Sequence, residues 1–309
     1  MNIVEAKGLG KEYGELTAVD SLDLHIPEGE IFGFLGPNGA GKTTAISMMC
    51  GVITPTRGTA TIDGHDIRDD AFAAKRAIGL VPQDLAVYEE INARQNLAFF
   101  GALYDLSGVE LNKRIDWVLE VAGLTDRAKE PVEQFSGGMK RRLNMAVGLM
   151  HKPKLLVLDE PTVGVDPQSR NYIFETIRSL QSEHGMSVLY TSHYMEEVQS
   201  LCDRVAILDK GELIANDRVD DLINAHASGA LQLDLAKDAD GQAALAAAME
   251  HGEANLSGSK LEVKVTTSIG AAITAVEQAG VEVVSMRSLQ ADLETVFLTL
   301  TGKKLRDEK

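Results

Sequence analysis

Short apolar runs alternate with amphipathic stretches along residues 1 to about 225. The apolar runs predict strands at Ile31–Leu35, Ile78–Val81, Leu155–Leu158, Val188–Thr191 and Val205–Leu208. Strands that alternate with helical patterns are typical of a mostly parallel sheet covered by helices. This part of the chain is therefore predicted to be an α/β sheet domain.

The pattern changes after Pro82. Apolar residues recur at helical spacing over Asn92–Tyr104, Leu111–Ala122 and Met139–His151, without a strand pattern between them. We expect these helices to form a subdomain, at about residues 84–150, that is inserted into the sheet domain.

A new pattern starts after residue 225, where the small residues of the segment AHASGA mark a domain boundary. Signals then follow in the order strand, helix, strand, strand, helix, strand, helix. They cover Leu231–Leu235, Gly241–Glu250, Ala254–Leu256, Leu261–Val265, Ile269–Ala279, Val281–Ser285 and Leu293–Thr301. Residues 226–309 are therefore expected to form a small α+β domain of the ferredoxin-like type.

The charge of the chain argues against one class of function. Its 309 residues include 30 Lys and Arg against 46 Asp and Glu, which gives a formal net charge of −16. A general nucleic-acid coat binds phosphates through clustered positive charge, and this chain has no surplus of it. We therefore expect no nucleic-acid partner.

At roughly 150 residues per domain, the length of the chain predicts about two domains.

The cysteines and the hydropathy indicate the compartment. Cys50 and Cys202 lie far apart without CxxC spacing, which argues against a zinc cage or a disulfide framework and favours core packing. No run approaches the ~18 continuous apolar residues that a membrane helix needs. The N-terminus MNIVEAKGLGKEYGE carries acids where a signal peptide would be basic. We expect a soluble, cytoplasmic chain that reaches a membrane only through a partner.

A glycine-rich segment between a predicted strand and a predicted helix fits the phosphate-binding pattern GxxxxGK[ST]. It consists of Gly36, Pro37, Asn38, Gly39, Ala40, Gly41, Lys42 and Thr43, and Thr44 follows in the helix. Its backbone N–H groups and the helix N-terminus can bind phosphates, Lys42 can reach their β and γ oxygens, and the Thr43 hydroxyl can ligate Mg²⁺. The alternative is a glycine-rich turn that binds nothing.

Two adjacent acids, Asp159 and Glu160, end the apolar strand Leu155–Leu158. Ligands of open α/β sheets bind at the carboxyl ends of strands, and successive side chains point in opposite directions. Asp159 is therefore expected to hold Mg²⁺, and Glu160 to orient or deprotonate an attacking water. The alternative is that both acids lie there only because the strand meets solvent.

A second candidate anion site opens the helix that begins near residue 137. Ser136 stands at the cap position, and Gly137 and Gly138 have N–H groups that can approach an anion closely. An ordinary serine cap with a glycine-rich turn is the alternative.

Taken in order, these elements resemble the ATP-binding subunits of ABC transporters over about two thirds of the chain. Ser136-Gly137-Gly138 occupies the position of the family's LSGGQ signature. Four further residues match other family motifs: Tyr13 (A-loop), Gln83 (Q-loop), Asp166 (D-loop) and His193 (H-loop).

The resemblance implies a role for each of these residues. Tyr13 would stack on the adenine, Gln83 would serve as a metal ligand and catalytic residue, Asp166 would belong to the nucleotide site, and His193 would contact the γ-phosphate. Each residue also has a structural alternative. Tyr13 is then a packed aromatic, Gln83 a turn residue, Asp166 a helix cap before Pro167, and His193 a structural histidine.

The motifs depart from the family pattern at two places. The signature reads FSGGM, with Phe135 and Met139 in place of Leu and Gln, and the D-loop has Val163 and Val165 where Ser and Leu are usual. Because the phosphate-contacting serine and glycines remain, the resemblance still implies ATP use.

The end of the chain, Leu289–Gly302, resembles the tails of ABC-2 exporter ATPases of the daunorubicin-resistance and sodium-efflux type. This resemblance favours an exporter over an importer. The alternative is a helix that only packs on its own small sheet.

The function implied is that of a Mg²⁺-dependent ATPase that forms a homodimer around two ATP molecules and drives a separate ABC-2 type permease. Each ATP would lie between the glycine-rich loop of one chain and the Ser136 helix of the other, with the dimer on the cytoplasmic face of the cell membrane.

Two alternatives belong to other classes. A soluble ABC ATPase that acts on ribosomes or DNA predicts a second cassette, a coiled-coil insertion or a basic arm, and the sequence shows none of these. A P-loop kinase or GTPase is opposed by the Ser136-Gly137-Gly138 element and by the absence of an NKxD motif.

The segment Asp84–Gln95 is a candidate contact for the permease. It carries Leu85, Val87, Tyr88 and Ile91 among acids and amides. The resemblance implies that a coupling helix of the permease lies beside this segment. Ordinary core packing of these apolar residues is the alternative.

Overall fold

The chain divides into two units, which the computed structural model describes over residues 1–226, 230–265, 268–289 and 292–302. The first unit is Met1–Val219, and the second begins at Asp220. The small-residue segment from which a boundary after residue 225 was predicted lies partly outside the described residues, so that boundary stays a prediction.

The first unit contains two sheets. Its strands are β1 (Asn2–Tyr13), β2 (Leu16–Pro27), β3 (Ile31–Leu35), β4 (Arg57–Ile62), β5 (His65–Asp66), β6 (Ile78–Val81), β7 (Leu155–Leu158), β8 (Ser187–Ser192), β9 (Arg204–Asp209) and β10 (Glu212–Arg218). The larger sheet has the order β10-β9-β3-β8-β7-β6, and only the β10–β9 pair is antiparallel. The predicted strands all lie in this sheet, and the predicted parallel α/β sheet domain is confirmed.

The second sheet, β2-β1-β4-β5, is antiparallel and was not among the predicted elements. Its strands mix apolar and polar residues, because one face is buried and the other is not. In β2, Leu22, Leu24 and Ile26 are buried, while Asp23 and His25 between them are exposed. This alternation is the sequence signal of a half-buried strand, and a search for continuous apolar runs does not detect it.

The helices of this unit are α1 (Lys42–Met49), α2 (Ala71–Arg76), α3 (Ala93–Leu103), α4 (Gly108–Val121), α5 (Gly137–Gly148), α6 (Pro167–His184) and α7 (Met195–Leu201). Short 3-10 helices cover Thr125–Arg127 and Val132–Gln134. Helices α3, α4 and α5 pack on one another and form the predicted helical subdomain.

One apolar cluster joins the two sheets around α1. It includes Phe32 and Phe34 of β3, Met48 and Met49 of α1, and Leu24 of β2, all with side chains that are almost fully buried. Burying one such side chain stabilises the fold by about 1.5–3 kcal/mol. The helix that follows the glycine-rich loop is therefore held firmly against both sheets.

The second unit contains α8 (Val219–His226, which begins one residue before the division), β11 (Ala230–Leu235), α9 (Gly241–Met249), β12 (Gly252–Ser257), β13 (Lys260–Val265), α10 (Ile269–Gln278), β14 (Val283–Leu289) and α11 (Leu293–Thr301). Its sheet is antiparallel throughout, in the order β12-β13-β11-β14. Leu231, Leu233 and Val263 of the sheet share a core with Ala244 of α9 and Val276 of α10. The predicted ferredoxin-like order of elements is present. Gln290 and Ala291 of the family-like tail lie outside the described residues.

Candidate nucleotide site

An open cleft of about 550 Å³ lies at the carboxyl end of β3. The cleft is lined by Tyr13, Leu16, Thr17, Ala18, Asn38, Gly39, Ala40, Gly41, Lys42, Thr43, Thr44, Gln83, Glu160 and Lys210. Most of the residues predicted to bind the nucleotide therefore meet in one place, although they come from four separate parts of the sequence.

The glycine-rich loop turns sharply between β3 and α1. Gly41 has a φ of 99°, and a Cβ atom at this position would lie 2.4 Å from the Ala18 carbonyl oxygen. A Cβ on Gly36 would lie equally close, at 2.4 Å, to the Leu208 carbonyl oxygen. Only glycine fits at either position. The N-cap residue of α1 is Gly41, which supplies no side-chain cap, and a helix N-terminus favours the binding of an anion.

Lys42 lies at the base of the cleft with only 5% of its surface exposed. Its Nζ donates to the carbonyl oxygens of Gly36 at 2.7 Å and Pro37 at 3.1 Å. The same Nζ lies 3.6 Å from Oε1 of Glu160. A buried ammonium group needs such partners, because an isolated charge is costly in the protein interior.

Asp159 and Glu160 are held by one hydroxyl group. Thr191 Oγ1 donates to Asp159 Oδ1 at 2.7 Å and accepts the Glu160 backbone N–H at 2.9 Å. Glu160 has a φ of 45°, in the left-handed region that residues other than glycine rarely adopt. Such a conformation costs about 1–2 kcal/mol and is maintained only where the surroundings enforce it.

The carboxylate of Glu160 lies between a lysine and a histidine. Its Oε1 faces Lys42, and its Oε2 lies 3.2 Å from Nδ1 of His193, although the two atoms are not aligned for a hydrogen bond. The His193 ring also contacts the ring of Tyr194, with centroids 4.0 Å apart. The structure thus brings Lys42, Glu160 and His193 together.

The signature residues lie elsewhere and are not among the residues that line the cleft. Ser136 caps α5 by accepting the Met139 N–H at 3.2 Å, and both Ser136 and Gly137 are exposed. Gly138 is buried against α6, where an added Cβ would lie 2.0 Å from Ser169 Oγ.

Asp166 belongs to this second group. It caps α6, and its Oδ1 accepts the Ser169 N–H at 2.9 Å. Hydrogen bonds from the Ser169 backbone and side chain lower the pKa of Asp166 below its usual value. The helix-cap role is therefore present in this chain, and a role of Asp166 in the nucleotide site stays a prediction.

Tyr13 lies at the mouth of the cleft, where β1 ends. Half of its surface is exposed (50%), and Lys11 Nζ lies 5.1 Å from its ring centroid. Tyr13 is therefore not a core residue, and its role in adenine binding stays a prediction.

The sequence did not point to every residue of the cleft. Lys210 lies at the tip of the β9–β10 hairpin, which is held in place because the Gly211 N–H donates to the Ala40 carbonyl oxygen at 2.9 Å. The Lys210-Gly211 turn was not among the predicted elements, and no local feature of the sequence links it to the loop. Thr191, which holds both acids, had no sequence signal at all.

The two cysteines behave as packing residues. Cys50 and Cys202 are both buried and free. Burial raises the pKa of the Cys50 thiol to about 12, which keeps it protonated and unreactive at neutral pH.

In the part of the chain that the structure describes, no helix combines the length and the apolar character that a membrane span requires.

Residues 19–163 match the family described as ABC transporter. The chain is 44% identical to the linearmycin resistance ATP-binding protein LnrL of Bacillus subtilis (strain 168), over 99% of this chain and 100% of that protein. It is 36% identical to the daunorubicin resistance ATP-binding protein DrrA3 of Streptomyces coeruleorubidus, over 98% of this chain and 97% of that one.

Solved structures show the same fold. CbiO1 from Clostridium perfringens, part of the ABC transporter complex cbiONQ, is 28% identical with a TM-score of 0.67, over 72% of this chain and 91% of that one. The ATP-binding cassette MJ0796, a dimer bound to ADP and Pi in a post-hydrolysis state, is 28% identical with a TM-score of 0.63, over 70% of this chain and 98% of that one.

Proposed function

The chain belongs to the ABC transporter family of ATP-binding subunits and is an ATPase, and on that premise we propose that it drives export through a separate ABC-2 type membrane permease. The observation that carries the proposal is the cleft itself. There the glycine-rich loop, Lys42 and Glu160 lie together, with Lys42 3.6 Å from Glu160. His193 lies beside the cleft, 3.2 Å from the other carboxylate oxygen of Glu160.

In this proposal the loop amides and Lys42 bind the phosphates of ATP, and Tyr13 stacks on the adenine. Lys42 now donates to the carbonyl oxygens of Gly36 and Pro37. Phosphate oxygens would replace these partners, since a charged acceptor forms the stronger hydrogen bond with an ammonium group. The lysine is therefore already held in the cleft before ATP arrives.

The donors present also fit Mg²⁺. Thr43, Gln83 and Asp159 offer a hydroxyl, an amide and a carboxylate oxygen, and Mg²⁺ prefers oxygen ligands together with substrate phosphates. When bound, the ion would neutralise charge on the phosphate oxygens. The positions of Thr43 and Gln83 on the wall of the cleft support this assignment.

Glu160 is the residue best placed to act on water. Its carboxylate would orient the water molecule and take its proton as the oxygen attacks the γ-phosphorus and the bond to the β-phosphate oxygen breaks. Contact with Lys42 on one oxygen and with His193 on the other fixes the orientation of this carboxylate.

We assign the second anion site to a partner chain. Ser136 and Gly137 are exposed at the N-terminus of α5, and they are not part of the cleft in the same chain. A homodimer in which each α5 N-terminus faces the ATP of the other chain would give this exposed site a ligand.

The permease contact is assigned to the segment after Gln83. Two side chains of helix α5 bond to this segment. Asn144 Oδ1 accepts the Ala86 N–H at 3.0 Å, and Lys140 Nζ lies 2.6 Å from Glu89 Oε2. Arg141 donates to the Gln83 carbonyl oxygen. Helix α5, which Ser136 caps, is thus bonded directly to the proposed contact segment, which gives a path between the ATP site and the permease.

Two observations support this surface. Leu85 and Tyr88 are exposed, by 37% and 47%, while Val87 and Ile91 are partly buried. An apolar groove of about 410 Å³ lies beside the segment, and its lining includes Leu80, Pro82, Ala86, Phe100 and Tyr104. A helix of the permease could bury its apolar face there.

The proposal of export rests on the relatives, whose names refer to linearmycin resistance, daunorubicin resistance and Nod factor export. The permease would select the substrate, and the ATPase would act at the cytoplasmic face of the cell membrane. Action on ribosomes or nucleic acid is not favoured.

The test is co-purification of the chain with its permease. Tyr88→Glu should release the permease while the isolated subunit still binds ATP, because Tyr88 is not among the residues of the ATP cleft. Met249→Glu, at an exposed residue of the second unit, is the matched control and should retain the permease. Retention of the permease and of ATP-stimulated transport by Tyr88→Glu would place the contact elsewhere.

A further inference from the structure

A buried carboxylate behind the proposed catalytic residues is the centre of a hydroxyl network. Glu197 of α7 is only 4% exposed. Its Oε2 accepts hydrogen bonds from Thr162 Oγ1 at 2.9 Å, from the Tyr190 hydroxyl at 2.8 Å and from Ser192 Oγ at 2.8 Å. A buried charge is tolerated when it is satisfied in this way, and hydrogen bonds to an ionised group are about twice as strong as neutral ones.

The three donors come from the two segments that carry the proposed catalytic residues. Thr162 follows Glu160 by two positions, on the turn after β7. Tyr190 and Ser192 lie near the end of β8, directly before His193. One carboxylate therefore bonds to the Glu160 turn and to the strand that leads to His193.

Strand geometry places this network opposite the bonds described above. Side chains alternate along a strand, so Tyr190 and Ser192 share one side of β8 while Thr191 points to the other. On that other side Thr191 holds Asp159 and the Glu160 backbone. The end of β8 is thus fixed from both sides.

The hydrogen-bond network also extends to Tyr194, beyond His193, and its Tyr190 hydroxyl stays protonated. Ser192 Oγ accepts the Tyr194 N–H at 2.9 Å, so the residues on both sides of His193 are tied to the hydroxyl that binds Glu197. Burial and the neighbouring Glu197 carboxylate raise the pKa of Tyr190 well above its usual value. The phenol therefore stays a hydrogen-bond donor.

We propose that Glu197 is a positioning residue for ATP hydrolysis, whose carboxylate sets the separation of Glu160 and His193 by holding Thr162, Tyr190 and Ser192. The inference rests on the roles proposed above for Glu160 and His193. The hydrogen bonds of Glu197 Oε2 go to Thr162, Tyr190 and Ser192 and to neither member of that pair. Glu197 acts on the geometry of the pair, in which Glu160 Oε2 and His193 Nδ1 lie 3.2 Å apart.

Glu197→Gln tests the role with little change in volume. The amide removes the charge and puts a donor N–H₂ group among hydroxyl donors. Glu196→Gln is the matched control, since Glu196 is the exposed neighbour on the same helix. The kcat of Glu197→Gln should fall roughly 10- to 100-fold, the size of effect that a misplacement of about 1 Å produces. The KM for ATP should stay close to that of the wild type, because Glu197 does not line the cleft.

A second measurement separates positioning from general stability. Single-turnover assays should show that Glu197→Gln lowers the rate less once His193→Ala is present, because only its effect on the Glu160 turn, through Thr162, then remains. Thr162→Val and Ser192→Ala each remove one donor and keep the test available if Glu197→Gln does not fold. Each should lower kcat less than Glu197→Gln and leave the KM for ATP unchanged.

Two outcomes would overturn the inference. In the first, Glu197→Gln would turn over ATP at the rate of Glu196→Gln, or Thr162→Val and Ser192→Ala would both do so. In the other, the effects of Glu197→Gln and His193→Ala would multiply independently. Glu160→Gln separates this failure from that of the proposed function. A fast Glu160→Gln enzyme contradicts the assigned base, whereas a slow one beside a fast Glu197→Gln enzyme contradicts only the role of Glu197.

Discussion

The nucleotide cleft differs from the signature corner, by which we mean Ser136, Gly137, Gly138 and Asp166. The difference is in how many contacts to the functional residues come from the same chain. In the cleft, Lys42 and Glu160 are buried and contact each other, and His193, which is mostly buried beside the cleft, contacts Glu160. At the signature corner, Ser136 and Gly137 are exposed, while Gly138 and Asp166 pack or bond against α6. Burial thus marks the residues whose geometry is set within the chain. At the signature residues exposure leaves Ser136 and Gly137 accessible, and our proposal assigns them to the ATP bound by a partner chain.

The largest expected effect tests whether the two regions serve one reaction. Glu160→Gln keeps the shape of the side chain and removes the base, so turnover should fall by roughly 100-fold or more while ATP still binds. ATP that is not hydrolysed should then hold two chains together. Size-exclusion chromatography with MgATP should show a dimer of this variant.

Ser136→Arg separates the two regions in the same experiment. Added to Glu160→Gln, it should prevent the dimer without preventing ATP binding by the monomer, because Ser136 is not in the cleft of its own chain. A Glu160→Gln protein that hydrolyses ATP at the wild-type rate would contradict the assigned base. A double variant that still dimerises would contradict the assigned anion site.

Lys42→Ala should affect the cleft alone. Ligand binding stabilises the native wild-type protein by about 2.7 kcal/mol at a hundredfold excess over Kd, so MgATP should raise its melting temperature. The variant should show no such shift. Lys113→Ala, at an exposed lysine of α4, is the control and should melt like the wild type. An equal ligand-induced shift in all three proteins would remove Lys42 from the phosphate site.

Two neighbouring glycines separate folding from binding at the signature corner. Gly138→Ala would place a Cβ 2.0 Å from Ser169 Oγ, whereas Gly137→Ala meets no atom within 4 Å. Overpacking typically costs about 1–3 kcal/mol, so Gly138→Ala should lower the free energy of unfolding by that amount. Gly137→Ala should fold normally and weaken only the ATP-bound dimer.

Chemical denaturation of the two glycine variants is the measurement. Ser169→Gly should restore part of the stability lost in Gly138→Ala, because it removes the two atoms closest to the new Cβ and leaves only Asp166 Oδ2 at 3.3 Å. If both glycine variants unfold like the wild type, the packing of Gly138 against α6 is not the constraint that the structure indicates.

The smallest expected effect is at the mouth of the cleft. Tyr13→Ala should weaken ATP binding by about 1 kcal/mol, the lower end of the range for stacking of a base on an aromatic ring, since Tyr13 lies half exposed at the mouth of the cleft. Inorganic triphosphate, which has no base, should bind equally well to the variant and the wild type. Isothermal titration measures both. An unchanged Kd for ATP would leave Tyr13 without a role in adenine binding.

The sequence determined the features that local physics controls. Continuous apolar runs located the strands of the larger sheet, because a strand buried on both faces has no polar positions. Glycine spacing located the phosphate loop, where Gly41 has to adopt a φ of 99°. The cap at Ser136 was also visible, since a serine cap bonds only to N–H groups of its own helix.

The tertiary structure alone decided which distant residues meet. Thr191 accepts the Glu160 N–H across 31 residues of sequence, and Thr162 reaches Glu197 across 35. Lys210 joins the cleft only because its hairpin is bonded to the glycine-rich loop. Such contacts leave no periodic or spacing signal. They depend on the order in which β7, β8 and β3 lie side by side, and sheet order is fixed by packing across the whole unit.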